Sequence, residues 1–285
     1  MNYGLPYKGS KSSIAMQIVE HLPRCERLLD ACCGGGAVLM AAAMSGRFGK
    51  VVGNDLNEPA IRLLDAVLIN KGQIEYNHPP VCSRQDFVES LERISSGNFS
   101  IQDCVNKFCA SFGNDGKTYL YGRQVEDYKL TAERMLTAPT LEERRSWYRK
   151  FCKVVINGAR LNKLEAIQRL QALERLERLE RLEHLERLDI FDIDYSRYDC
   201  VYFDIPYEGT NKYDFDFDHD RFYALFKSLK IPAFMSEYDA PFNCVAKFDH
   251  VSRMAAKVGS SAKIKGLEKL FFNGTVEEYN ELMKR

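Results

Sequence analysis

Four consecutive residues, Asp204-Ile205-Pro206-Tyr207, combine an acid, a fixed bend and an aromatic ring. They follow the apolar-leaning run 200–203, which indicates a buried strand, and Pro206 cannot extend a central strand. The four residues are therefore expected at the carboxyl end of a strand, where open α/β sheets bind ligands. A carboxylate beside a flat ring suits a planar base that bears an amino group. The alternative is a strand end whose tyrosine only packs against its neighbours.

A glycine-rich turn offers a second kind of chemistry. It runs from Asp30 through Cys32-Cys33-Gly34-Gly35-Gly36, between an expected strand and an expected helix. Glycines let a ligand approach the backbone closely, and the free N–H groups of a helix start suit a carboxylate or phosphate. Asp55 ends the next expected strand, about 20 residues after Gly36, which is where an acid reaches a ribose hydroxyl in nucleotide-binding folds. The pair predicts a nucleoside site, although the dinucleotide fingerprint is incomplete; plain α/β packing is the alternative.

A loop at residues 3–11 carries Tyr7 and Lys11, with Pro and Gly marking it as irregular. An aromatic ring and a cation in one loop suit an anionic, aromatic ligand. The alternative is a loose, solvated amino terminus.

Strands and helices alternate in residues 1–72 and again in 188–285, which predicts an α/β sheet domain. Within the second part, the alternation of apolar and polar residues predicts a strand over 188–195, with Asp194 at its end near the ligand. The acidic, aromatic residues 208–220 are expected to form a mobile flap over the site.

Residues 73–165 lose this alternation and are expected to form a mainly helical lobe that carries one β-hairpin. The hairpin is predicted within 105–121, because Asp115-Gly116 lies between aromatic-rich flanks. A two-stranded ribbon can enter the major groove of DNA, and a surface hairpin without function is the alternative. The polar, cationic and aromatic candidates on or near it are Lys107, Asn114, Lys117, Tyr119, Tyr121 and Arg123.

Leucine recurs at every third position from Leu170 to Leu188. An α-helix turns about 100° per residue, so these leucines would wind around a helix and cover no single face, unlike a heptad zipper. We expect residues 166–187 to be a helical or irregular connecting segment, with a protein-contact element as the alternative.

Composition narrows the class of protein. No apolar run approaches the roughly 20 residues that span a membrane, and the first residues do not resemble a secretory signal. The nine cysteines are odd in number and irregularly spaced, and the five histidines are scattered, so we expect reduced thiols, no metal site and a cytoplasmic location. A formal net charge of zero by itself argues against a nucleic-acid binder.

Taken together and in order, these motifs resemble the Dam-like (alpha-type) DNA adenine-N6 methyltransferases. The loop 6–11 looks like the family's amino-terminal cofactor motif, 30–36 like its glycine motif and Asp55 like its ribose-binding acid. Residues 204–207 look like its Asp-Pro-Pro-Tyr, and 111–122 are similar in placement to its DNA-reading hairpin. Ile205 departs from the first proline of that tetrapeptide. Because the family uses the carbonyl of this residue, the chemistry should survive with a less rigid backbone; the leucine run is not a general feature of the family.

The resemblance implies a Rossmann-like methyltransferase sheet with helices on both faces and an inserted target-recognition lobe. It divides the chain into a discontinuous catalytic domain (1–72 and 188–285), a DNA-binding domain (73–165) and the connecting segment 166–187. It also implies S-adenosylmethionine as cofactor and a bacterial or phage-encoded protein. The implied cofactor-binding residues are Tyr7, Lys11, Asp30, Gly34, Gly36, Asp55, Asp194 and Asp204.

The implied reaction moves a methyl group from S-adenosylmethionine to N6 of an adenine flipped out of double-stranded DNA. Asp204 and the carbonyl of Ile205 would accept the amino hydrogens, after Pro206 turns the chain and Tyr207 stacks on the base. The alternatives are an NAD-type oxidoreductase, a methyltransferase for protein glutamine or an RNA base, and a DNA-binding relative that has lost catalysis. The recognised DNA sequence, the oligomeric state and a cognate restriction enzyme as partner stay open at this level.

Overall fold

The computed structural model describes residues 3–74, 82–151, 162–174, 179–207, 217–252 and 264–284. The flap expected at 208–220 lies largely outside the described residues. Backbone contacts divide the chain into two compact units, one formed by residues 1–4, 9–61 and 179–285, and the other by residues 5–8 and 62–178. Both units are thus discontinuous in sequence, with boundaries at 61/62 and 178/179, whereas the sequence suggested boundaries near 72, 165 and 188.

The helices and strands are short and mostly amphipathic or apolar. The strands are β1 (Cys25–Asp30), β2 (Phe48–Asn54), β3 (Leu182–Glu186), β4 (Cys200–Phe203), β5 (Ala233–Glu237), β6 (Asn243–Ser252) and β7 (Ile264–Phe272). The helices are α1 (Ala15–Glu20), α2 (Ala37–Ser45), α3 (Glu58–Leu68), α4 (Arg84–Ser95), α5 (Ile101–Cys109), α6 (Glu126–Thr137), α7 (Leu141–Phe151), α8 (Asn162–Glu174), α9 (His219–Ser228) and α10 (Val276–Leu282).

The first unit is built on one mixed sheet of seven strands in the order β3-β2-β1-β4-β5-β7-β6. The strands β3 to β5 of this order run parallel, and β7 and β6 are added antiparallel. Helices cover both sides of the sheet, so the predicted Rossmann-like α/β fold is confirmed. The chain order reverses between β1 and β4, which is the switch point where ligands bind in such sheets.

The central strands are apolar because both of their faces are covered. Leu28, Leu29 and Val201 are fully buried, as expected for parallel strands between two layers of helices. Phe203 at the end of β4 makes edge-to-face contacts with Phe222 and Phe226 of α9, with ring centroids 5.2 and 6.1 Å away. Burying one such side chain contributes about 1.5–3 kcal/mol, so the end of β4 is held firmly.

The sequence prediction for residues 166–195 is wrong in two places. Within the expected connecting segment, residues 182–186 form the edge strand β3, which pairs in parallel with β2. The strand expected at 188–195 does not form, because those residues make turns. Charged residues occur in β3 because an edge strand is half-exposed; Glu183, for example, bonds Arg27 of β1 at 3.0 Å and lies 3.4 Å from Lys50 of β2.

The second unit is mainly helical, as expected, but its hairpin is much shorter than predicted. Helix α5 extends to Cys109, residues 112–114 form a 3₁₀ turn, and a single antiparallel bridge joins Ser111 to Tyr119. Asp115 makes the tight turn by accepting hydrogen bonds from the backbone N–H groups of Lys117 and Thr118, each at 2.9 Å. The Asp-Gly turn is therefore present, whereas the segment before it is helical up to Cys109 and the segment after it is irregular apart from the bridge at Tyr119.

Candidate active site

The carboxyl ends of β1, β2 and β4 meet at one edge of the sheet. In the register of the sheet, Asp30 is opposite Tyr202 on one side and Gly53 on the other. The backbone N–H of Ala31 then donates to the carbonyl of Tyr202 at 2.9 Å. Three acids that follow or end these strands, Asp30, Asp55 and Asp204, are thereby brought together, as the sequence predicted for a ligand site.

Asn54 is a positioning residue that the sequence analysis did not identify. Its side chain is fully buried and its amide donates to the carbonyls of Ala31 and Leu188 at 2.9 and 3.0 Å. Its side-chain oxygen accepts from the N–H of Leu188 at 2.7 Å. One side chain thus fixes the loops that follow β1 and β3, and only the three-dimensional pairing of β2 with β3 reveals this.

The glycine turn is held by Asp55. The Asp55 carboxylate accepts hydrogen bonds from the N–H of Gly34 at 2.7 Å and from the N–H of Asn57 at 2.8 Å. Gly34 and Gly36 have positive φ angles of 48° and 73°, which glycine adopts without steric penalty. Burial raises the pKa of Asp55, and the two backbone N–H groups oppose that rise.

Asp30 is the most unusual acid of the site. It is 1% exposed, and no described side chain donates a hydrogen bond to either carboxylate oxygen. Burial raises its pKa well above the ordinary range, and the negative charges of Asp204 and Asp55 raise it further, while the Leu39 N–H and Lys11 act in the opposite direction. A buried carboxylate with so few hydrogen-bond donors and positive charges around it destabilises the fold unless a ligand supplies a donor or a positive charge.

Lys11 and Tyr207 surround Asp204. The Lys11 ammonium, 6% exposed, lies 2.8 Å from Oδ1 of Asp204 and 4.6 Å from the centre of the Tyr207 ring. The Tyr207 hydroxyl donates to Glu268 of β7, and Tyr238 approaches the same ring edge-on at 4.6 Å. The sequence predicted Lys11, Asp204 and Tyr207 as site residues, and the structure brings these three side chains together.

Packing holds the tetrapeptide 204–207 in place at Ile205, the position where a proline would make the backbone rigid. Ile205 is 1% exposed and belongs to the main hydrophobic core with Phe203 and Phe222. The carbonyl of Pro206 is bonded by the ring of His219, at 2.8 Å from Nε2. The less rigid backbone expected from Ile205 is therefore restrained on both sides of the bend.

The structure does not bring Asp194 to this edge as expected. The strand that was to end at Asp194 does not form, and the exposed carboxylate instead caps a 3₁₀ turn by accepting from the N–H and hydroxyl of Ser196. The nearer acid is Asp189, which follows β3 and whose charge acts on the Cys32 thiol of the glycine turn. Asp189 was missed because the strand was expected at 188–195, whereas β3 ends at Glu186, before Asp189.

Tyr7 and the predicted DNA-contacting residues lie in the second unit. The Tyr7 ring packs 5.6 Å from that of Phe108. Tyr119 and Tyr121 are buried in the small core of this unit, where their hydroxyls donate to the Cys82 carbonyl and to Glu133. Lys117 and Arg123 are exposed, and Lys107 and Asn114 are half-buried. Phe112 is half-exposed at the base of the Asp-Gly loop, where its N–H donates to the Thr118 carbonyl; it was not singled out because it was expected inside a strand.

The other cysteine and metal-ligand side chains that the structure describes form no second candidate centre. The eight described cysteines are free thiols, and burial raises the pKa of Cys33 well above its ordinary value. Among the described residues, no cluster of His, Cys, Asp and Glu is placed to bind a metal ion. None of the described helices is long and apolar enough to cross a membrane.

Comparison with known proteins identifies a family. The sequence model of the family described as "D12 class N6 adenine-specific DNA methyltransferase" matches residues 7–265, which include the glycine turn, Asp55 and the tetrapeptide. No curated protein matches the chain.

Proposed function

The chain belongs to the D12 class of N6 adenine-specific DNA methyltransferases, and on that premise we propose how it acts. It uses S-adenosylmethionine to methylate N6 of an adenine that is flipped out of duplex DNA. The observation that carries this proposal is the meeting of Asp204, Lys11 and Tyr207 with the acids Asp30 and Asp55 at the switch point of the sheet.

The charge at this edge fits the cofactor. S-adenosylmethionine supplies an electrophilic methyl group on a positively charged sulfur, and it also carries an ammonium group and ribose hydroxyls. Asp30 has a buried carboxylate without a side-chain partner among the described residues, which suits the ammonium group. Asp55, bonded to the glycine turn, and Asp189, which we propose in place of Asp194, suit neutral hydroxyl and amino donors.

Asp204 and the backbone of Ile205 are proposed to orient the target amino group. Each would accept one hydrogen of the adenine N6, and the negative charge of Asp204 would stabilise the positive charge that develops on nitrogen. Asp204 would also accept the proton that the nitrogen must lose. Positioning of two reactants in this way can supply roughly 7–11 kcal/mol.

Tyr207 is proposed to stack on the extruded base. Flipping a base costs a few kcal/mol, and stacking on an aromatic side chain returns roughly 1–3 kcal/mol. The Tyr207 ring is suited to this role because Lys11, Tyr238 and the Glu268 contact fix its plane.

The second unit is proposed to contact the DNA duplex. Its exposed cations Lys117 and Arg123 suit phosphate oxygens, and the exposed ring of Phe112 has the character of an apolar wedge. Tyr119 and Tyr121, being buried, are proposed to support this loop rather than to touch DNA. Lys107 and Asn114, half-buried beside it, stay candidates for contact.

Substitution of Asp204 tests the proposal. We expect Asp204→Asn to lower the methylation rate of unmethylated genomic DNA by about 100-fold or more, while the Kd for S-adenosylmethionine changes much less. Asp199→Asn is the matched control, because Asp199 precedes the same strand at its opposite end, where it accepts from the Arg27 N–H at 2.8 Å. N6-methyladenine is measured by sequencing, and near-normal methylation by Asp204→Asn would refute the assignment.

A further inference from the structure

Glu268 is a buried charge in an otherwise apolar row. It lies on β7, where side chains at alternate positions share a face, and the next two along the chain on that face, Leu270 and Phe272, are 0% and 3% exposed. Glu268 itself is 1% exposed. Burial of a carboxylate is costly unless it is paired, so its place in this row calls for a reason other than packing. Glu268 also lies beyond residue 265, where the family match ends.

Among the described residues, the polar contacts of the Glu268 side chain are with side chains of the proposed site. Its Oε1 atom accepts a hydrogen bond from the Tyr207 hydroxyl and lies 3.6 Å from the Lys11 ammonium. Lys11 is 2.8 Å from Asp204 at the same time. The single cation Lys11 is therefore shared by two carboxylates, and the three groups together carry one net negative charge when all are ionised.

This arrangement affects the two parts of the site that would meet the adenine. A charged acceptor holds the Tyr207 hydroxyl more strongly than a neutral one would, which fixes the plane of the stacking ring. The second carboxylate also attracts Lys11, so that Lys11 is not committed to Asp204 alone and Asp204 keeps capacity to accept from an amino group.

We infer that Glu268 is a positioning residue for methyl transfer: through Tyr207 it orients the stacking ring, and through Lys11 it preserves the acceptor capacity of Asp204. This inference rests on the proposed function of Tyr207 and Asp204. Glu268 itself contacts neither the donor nor the base in this scheme.

A double-mutant cycle tests the inference. The variants Glu268→Leu, Tyr207→Phe and the double variant are compared in single-turnover methylation of DNA. We expect Glu268→Leu to slow methyl transfer roughly 10-fold or more, the scale of a hydrogen bond to a charged group. Because both single changes break the same contact, the double variant should lose much less than the product of the two single losses. Independent effects, which multiply, would overturn the inference.

Stability separates this role from a purely structural one. Leucine fits the apolar row of Leu270, and replacing a buried ion-paired group by an apolar one is often neutral or stabilising, so the Tm of Glu268→Leu should be retained while its rate falls. Glu268→Gln keeps an acceptor for Tyr207 and should recover part of the rate. Lys269→Gln is the control: this neighbour on β7 pairs with Asp239 at 2.9 Å, and its loss should leave the rate unchanged. Loss of rate only in parallel with loss of Tm would contradict the inference.

A measurement without turnover distinguishes failure of this inference from failure of the proposed function. In protein labelled with ¹³C at tyrosine Cζ, the Tyr207 signal is assigned by its absence in Tyr207→Phe. We expect Glu268→Leu to shift that signal, because it removes the acceptor of the hydroxyl. An unchanged Tyr207 signal in Glu268→Leu overturns the inference even if the wild type methylates DNA. A shifted signal, found together with a wild type that does not methylate DNA, leaves the contact between Glu268 and Tyr207 standing and refutes the proposed function.

Discussion

At the scale of residues, the main feature of the site is that the acids at the switch point repel one another. Asp204 and Asp55 both raise the pKa of Asp30, in addition to its burial. Lys11 is the cation that the structure places beside them. A site with this excess of negative charge is suited to a cationic ligand, and it is destabilised while that ligand is absent.

Asp30 should therefore lower the stability of the ligand-free protein and strengthen the binding of the cofactor. Its pKa is raised in the folded state, so folding favours the protonated form, and the penalty appears as pH rises above the unfolded value of about 3.9. Asp30→Asn should raise the Tm of the ligand-free protein at pH 7, by about 2–4 °C for each kcal/mol recovered, and the gain should shrink as the pH is lowered. The same variant should bind S-adenosylmethionine more weakly.

Calorimetry and thermal unfolding across pH check this prediction for Asp30. Asp65→Asn is a suitable control, because Asp65 is an acid of α3 that bonds the exposed Asn70 side chain. A lower Tm for Asp30→Asn together with unchanged cofactor affinity would show that Asp30 is only a structural group.

At the scale of elements, the site depends on which strand ends meet in the sheet. The parts of the site that follow recognisable strands could be predicted from the sequence, and the parts that depend on strand pairing could not. The strand ends that carry the glycine turn, Asp55 and the tetrapeptide were predictable, because each follows a short apolar run that is recognisable as a buried strand. β3 was not predictable, because its Leu-Glu-His-Leu-Glu sequence becomes a strand through pairing with β2. Asn54 and Glu268 were missed for a similar reason: their partners are 134 and 61 residues away in the chain.

The glycine turn should be sensitive to crowding from the amino-terminal segment. Gly4 has φ +70°, and a Cβ there would overlap the Gly35 carbonyl oxygen and lie 2.8 Å from the Ala37 nitrogen. Gly4→Ala should therefore displace the turn and raise the Kd for S-adenosylmethionine at least several-fold. Gly46→Ala is a matched control, because Gly46 has nearly the same φ, +71°, with nothing within 4 Å of a Cβ.

Comparison of these two glycine variants separates backbone strain from steric overlap. Both alanines adopt an unfavourable left-handed conformation, which costs about 1–2 kcal/mol, so both should lower Tm, and Gly4→Ala should lower it further because its Cβ overlaps backbone atoms. Only Gly4→Ala should also weaken cofactor binding. Equal cofactor affinity in the two variants would show that the Gly4 contact does not shape the site.

At the scale of the whole molecule, the chain has the parts of an adenine-specific DNA methyltransferase. The sheet unit holds the acids, Lys11 and Tyr207, and the helical unit has its own small core around Tyr119 and Tyr121. Two capping boxes, Ser83 with Asp86 and Ser100 with Asp103, fix the first helices of that unit. Arg93 and the Ser100 groups outweigh partial burial and lower the pKa of Asp103 to about 2, so this cap stays charged at all but strongly acidic pH.

The most direct test follows the methyl group itself. The protein is incubated with S-adenosylmethionine that carries a CD₃ methyl group and with unmethylated duplex DNA, and the digested nucleosides are analysed by mass spectrometry. We predict deuterated N6-methyldeoxyadenosine from the wild type and from Asp199→Asn, and about 100-fold less or none from Asp204→Asn. Label on cytosine with none on adenine, no label on DNA at all, or equal labelling of adenine by Asp204→Asn would contradict the account.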